Sequence, residues 1–235
     1  MSEADFSQTR AAGTAPEKAG TVASPVEHHA LPPADEREAN QLGIWLFLAG
    51  EVLFFGSLFT VYLIYRMIHP EVFAAESREL DALLGGVNTA LLLTSSLSMA
   101  LAVQAAHFGQ RRRLLLMLVL TMALGAGFIG IKVFDYAHLI REGLFPGSYS
   151  PSFDQSSLPQ PVLLFFSLYF TMTGLHAVHM LLGIAAMGIL AAQSALRRLP
   201  QPRGITVEML GLYWHFVDIV WIFLYPLFYL VDRTG

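Results

Sequence analysis

Apolar residues fall in long blocks along this chain, separated by shorter polar stretches. Five blocks, at 42–68, 84–108, 114–139, 161–193 and 205–232, reach the roughly 20 residues a helix needs to cross the hydrocarbon layer. The fold class this predicts is an all-α integral membrane protein, a bundle of five transmembrane helices within residues 39–235. The second and third blocks are joined tightly through Gly109 to Arg113, which predicts an antiparallel hairpin. Between the third and fourth, REGLFPGSYSPSFDQSSLPQ is rich in Ser, Pro and Gly and reads as an extramembrane loop. Pro161 suits the first turn of the fourth helix. Residues 1–38 are polar, lack the apolar core of a cleaved signal peptide and read as a disordered cytoplasmic tail.

Composition sharpens this picture. Only 14% of the 235 residues are charged, against roughly a quarter in soluble domains. Ten of the 32 formally charged side chains lie in the first 40 residues, so the remainder is poorer still. Cysteine is absent, which excludes disulfides, thiolate chemistry and Cys-ligated metals. A net charge of −4 without a long basic face gives no footprint for nucleic acid. Arg and Lys are asymmetric across the blocks. The tail (Arg10, Lys18, Arg37), the second connection (Arg111, Arg112, Arg113) and the fourth (Arg197, Arg198, Arg203) fall on one side; Arg66, Arg78, Arg141 and Arg233 fall on the other. The excess predicts a cytoplasmic N-terminus and an outer C-terminus.

Ionisable groups inside spans cost at least a few kcal/mol each unless something faces them. Glu51 lies in WLFLAGEVLFFGSLF, between Gly50 and Gly56, which would allow close helix approach. It reads either as a neutral acid bonded to a neighbouring helix or as a proton-handling, lipid-facing site. His176 and His179 are three apart in TMTGLHAVHMLLG, and Glu208, His215 and Asp218 form a second stripe. The two stripes predict interhelical polar bonds, with imidazole donating to Asp218 or Glu208 and the last helix tied against the fourth. A haem held by His176 or His179 and His215 is the sharper alternative. Lys132 and Asp135 read as a local ion pair with the lysine snorkelling outward. Asn88, Thr89, Thr94, Ser95, Ser96 and Ser98 make the second span polar enough to face other helices rather than lipid. Trp214 and Trp221 read as packing and interface residues, and Pro226 as a kink in the last helix.

Five ordered blocks carry a resemblance: GIWLFLAGEVLFFGSLF, VNTALLLTSSLSMALA, GFIGIKVFDY, SLYFTMTGLHAVHMLLG and VEMLGLYWHFVDIVWIFLYPL. Over about Asn40 to Val231 the chain resembles the cytochrome c oxidase subunit 3 family, subunit III of the haem–copper oxidases, in its short five-helix bacterial form. The resemblance implies a noncatalytic accessory role beside the catalytic subunit I and subunit II, which hold the haem and copper. It implies support for proton uptake and for stability in aerobic respiration, bound structural phospholipid and no cofactor or metal of its own. Location in a bacterial inner membrane, and contact with further respiratory-complex subunits, follow from the same likeness. Glu51 matches the family's buried helix acid near subunit I, and His176, His179, Glu208, His215 and Asp218 match its polar intramembrane set. Arg197 and Arg198 suit a lipid phosphate by charge and position.

One departure is Lys132 with Asp135, where the long form carries a glutamine and a glutamate. The lysine form is similar to that of bacterial short members, some of which accompany quinol oxidases or nitric oxide reductases. The electron donor stays open on these residues. So do three other readings: an accessory chain of a nitric oxide reductase, a membrane-anchor b-type cytochrome, and an independent proton or ion transporter.

Overall fold

The computed structural model describes residues 33–145, 159–196 and 204–231, and within them it is helical throughout. The order is α1 (Pro33–Ile68), α2 (Pro70–Glu79), α3 (Ala82–His107), α4 (Arg111–Arg141), α5 (Gln160–Ala195) and α6 (Gly204–Tyr229). All but α2 are long and apolar enough to cross a membrane. Residues 33–38, assigned to the tail by their polarity, are part of α1. Residues 1–32, and the headgroup candidates Arg197 and Arg198, lie outside the described residues.

The first connection holds an element that hydropathy alone does not show. Residues 70–79 form α2, with Pro70 in its first turn, Glu71 near its start and Arg78 near its end, as helix geometry and dipole favour. Phe73, Ala74 and Ser77 are its buried side. Asp81 then caps α3, its carboxylate accepting from the Leu83 and Leu84 amides at 2.9 and 3.1 Å.

Two glycines with positive φ end helices. Gly109 (φ 65°) and Gly143 (φ 78°) stand just beyond α3 and α4. In each case the next residue's amide reaches back five residues, Gln110 to Ala105 at 2.9 Å and Leu144 to Leu139 at 3.1 Å. These are Schellman closures, which need the left-handed conformation that glycine adopts without penalty. The first of them turns the chain at once into α4 and makes the α3–α4 hairpin that the tight connection predicts.

Helix α6 runs through the centre. Trp214 is fully buried, and its indole donates to Ser95 Oγ on α3 at 3.2 Å. A Cβ on Gly125 of α4 or Gly183 of α5 would come within 2.9 Å of the same ring. Those glycines make the space for an aromatic wedge joining four helices. Gly50 and Gly56 have nothing within 4 Å of a Cβ position, so the close approach expected beside Glu51 is not made within the chain. The reason is position: α1 lies at the margin and touches α2, α5 and α6 only thinly. α6 continues through Pro226 to Tyr229, and two carbonyls of its last turn accept side chains, Leu227 from the Tyr62 hydroxyl and Phe228 from Ser77 Oγ.

Candidate functional site

Three polar clusters stand inside the bundle. The first joins α4, α5 and α6 around Lys132, which is buried at 3% exposure rather than snorkelling outward. Its ammonium donates to Asp135 Oδ2 at 2.8 Å and to the hydroxyls of Tyr169 and Tyr229 at 2.7 Å each. Both tyrosines in turn donate to Asp135 Oδ2, at 2.8 and 3.0 Å. Three N–H groups meet three oxygens, so the lysine's donor capacity is filled. The rings of Tyr136, Tyr169, Trp221 and Tyr229 lie 4.9–5.4 Å from the Lys132 nitrogen. The ion pair is local in sequence, as expected; a cage from two other helices removes the need to reach the membrane surface. Tyr169 and Tyr229 carry a phase signal, seven residues before His176 and eleven after Asp218, which places each on the face of its helix that bears those groups.

The second cluster is at the α1 margin. His179 Nδ1 lies 2.8 Å from the Leu175 carbonyl. A carbonyl only accepts, so Nδ1 holds the hydrogen and Nε2 is turned toward Glu51. Glu51 Oε2 stands 3.2 Å away, at ion-pair distance but without hydrogen-bond alignment. His176, three residues earlier, meets different neighbours: Phe128 and Trp221. It is fully buried, and neither ring nitrogen has a hydrogen-bond partner.

The third cluster lies along the α3–α6 seam. His215 Nδ1 and Ser96 Oγ are 2.7 Å apart, Trp221 donates to Thr89 at 3.1 Å, and Ser98 meets Thr121 of α4 at 2.6 Å. The polar second span therefore does face other helices, although Thr94 only bonds its own helix at Ala90. Asp218 is buried, yet both carboxyl oxygens are without a hydrogen-bond partner. At the end where α3 stops and α6 begins, His107 pairs with Glu208. The expected pairing of the histidine stripe on α5 with His215, Asp218 or Glu208 is not formed. α6 presents those groups to α3, and α5 turns His179 to α1 instead. The three rings proposed for a haem thus face three different surroundings. Among the described residues, no group of three or more His, Asp or Glu side chains is placed to hold a metal ion.

The family described as cytochrome c oxidase subunit III matches residues 28–232. The chain belongs to that family. Among its relatives is the cytochrome bo(3) ubiquinol oxidase subunit 3 of Pseudomonas aeruginosa, 33% identical over 80% of this chain and 83% of that one. The cytochrome c oxidase subunit 3 of Bacillus subtilis is 32% identical over 83% of this chain and 87% of its own length. A probable quinol oxidase subunit 3 of Staphylococcus saprophyticus is 32% identical over 85% and 92%. The protein is a multi-pass membrane protein and an accessory subunit of a haem–copper terminal oxidase, a noncatalytic part of an oxidoreductase complex. The nitric oxide reductase and b-type cytochrome readings are not favoured by these relationships.

Proposed function

We propose that this subunit seats against the catalytic subunit I through α1, beside subunit II, in a bacterial inner membrane with its N-terminus cytoplasmic. The observation that carries this reading is the bare face of α1. Leu46, Leu53 and Met67 are 74%, 75% and 82% exposed, and α1 has only thin contacts with the rest of the bundle. Lipid would satisfy those side chains as well as protein does. It would not satisfy the Glu51–His179 pair, which joins that helix to α5 with side chains 19% and 14% exposed. A polar pair at a bilayer-facing margin calls for protein or water cover. From that position Glu51 supports proton uptake by the catalytic subunit. Structural phospholipid, with Arg197 and Arg198 at its phosphate, completes the reading from charge and location. Haem and copper belong to the partner subunits, and further respiratory-complex subunits join at the remaining surfaces.

The test is purification of the tagged full chain in mild detergent, with mass spectrometry of every chain that accompanies it. Recovery of a large haem–copper subunit and a subunit II is expected, and Leu53→Lys should strip them from the chain. Recovery with a nitric oxide reductase core, or recovery alone, would overturn it. The electron donor is then read from the partner: a subunit II carrying copper accepts from cytochrome c, one without it from quinol.

A further inference from the structure

A groove of about 400 Å³ runs along the α3–α6 seam, lined by Ala100, Val103, Glu208, Gly211, Leu212 and His215. That volume lies in the range of small-molecule sites. Its polarity is two-ended. Glu208 stands at one end and His215 at the other, seven residues apart on one face of α6, or about 10.5 Å along the axis before the side chains lean in. Between them the wall is apolar and low. A Cβ on Gly211 would fall 2.9 Å from Val103 Cγ2, so α6 lies tight on α3 there and presents no side chain. Each polar end has one atom committed and one remaining. His107 engages Glu208 Oε1, which leaves Oε2; Ser96 engages His215 Nδ1, which leaves Nε2. Ala100 and Leu212 are exposed rims on the flank of the spans, so an occupant enters sideways from the bilayer.

We infer that this groove binds the head of a membrane quinol. A para-quinol is a flat ring with hydroxyls at opposite ends, each able to donate or accept, and it carries an isoprenoid tail that belongs in lipid. The ring lies over Gly211. One hydroxyl donates to Glu208 Oε2, the other meets His215 Nε2, and the tail leaves past Leu212. An aminophospholipid fits less well, because its polar groups lie together at one end and its acyl chain would be set against the imidazole. No electron leaves the quinol here; the groove holds it near the complex that uses the respiratory membrane's carriers. In that single respect the inference rests on the oxidase reading above.

The experiment uses the assembled complex in nanodiscs and an arylazido benzoquinol as probe. After irradiation, label is mapped by mass spectrometry. It is expected on the peptides spanning 96–107 and 204–215, to be protected by excess unlabelled quinol, and to fall about tenfold in Ala100→Phe. That variant fills the groove from an exposed rim and leaves the Gly211 approach untouched. Glu208→Gln with His215→Phe should lower the label similarly while haem content is unchanged. Unchanged labelling in Ala100→Phe, or protection by ethanolamine phospholipid and not by quinol, would overturn the inference. Loss of the partner subunits from the preparation counts against the oxidase reading instead, and protected label on these peptides would support the groove even then.

Discussion

The Lys132 cage and the His215–Asp218 seam both place ionisable groups deep in α6's surroundings, and they resolve the problem in opposite ways. In the cage every donor of the ammonium has an oxygen and every tyrosine hydroxyl both accepts and donates. Along the seam, Asp218 has two buried oxygens without partners, and His215 lines an open groove with one nitrogen engaged. A closed network holds three helices in one register and leaves nothing for a ligand. An incomplete one contributes less to the fold and leaves atoms for an outside molecule. The count of charges in a span thus says little about their role until their partners are known.

The comparison breaks most sharply at Lys132. Lys132→Met leaves the Asp135 carboxylate buried without its counter-charge, and should cost about 3–5 kcal/mol, seen as an early loss of the chain from the complex in thermal melts. Lys132→Met combined with Asp135→Leu should recover most of that loss; a double variant as unstable as the single would show that the cage acts through more than charge pairing. The Trp214 wedge offers a second, uncharged control. Gly183→Ala puts a methyl group 2.9 Å from the indole, and overpacking of that kind costs about 1–3 kcal/mol, measurable by the same melts.

The seam should respond more weakly. His215→Phe removes one interhelical bond to Ser96, worth about 0.6–2 kcal/mol, and Asp218→Asn, which keeps a side-chain oxygen beside Ser96, should change melting less than His215→Phe. A larger effect of Asp218→Asn would mean that Asp218 has a partner in the assembled complex.

The smallest effect lies outside the spans, on α2. Burial, and then the nearby Glu79, push the Glu76 carboxyl above the usual carboxylate range. The folded state therefore holds this proton more tightly than the unfolded state. Its contribution is present at low pH and lost as pH rises through the carboxylate range. Glu76→Gln should abolish that fall, so the variant gains slightly on the unaltered protein as pH rises through the carboxylate range, and a difference that does not change with pH would show the carboxyl to be free of strain.

Much of this molecule was legible in the linear chain because the bilayer imposes a one-dimensional rule. Backbone groups in hydrocarbon must bond within their own helix, so a span announces itself by length and hydropathy. The five spans, the α3–α4 hairpin, the inward-facing polarity of the second span and the family motifs all follow from local sequence. α2 escaped because ten residues with a mixed composition carry no such signal; only Phe73, Ala74 and Ser77 docking on the bundle define its buried face.

Partner choice was not legible, and there the physical reason is rotation. Helical spacing places His176 with His179 and His215 with Asp218, yet a helix's angle about its own axis is set by everything packed around it. That angle sends His179 to Glu51, seals His176 between Phe128 and Trp221, and turns His215 to Ser96. Gly125 and Gly183 became the close-approach glycines, and Gly50 and Gly56 did not, because Trp214 fills one place and open space the other. Local sequence set out five stretches long and apolar enough to cross a membrane as helices and which groups within them must find partners; tertiary packing settled which partners they found, because pairing inside a bundle depends on contacts between helices far apart in the chain.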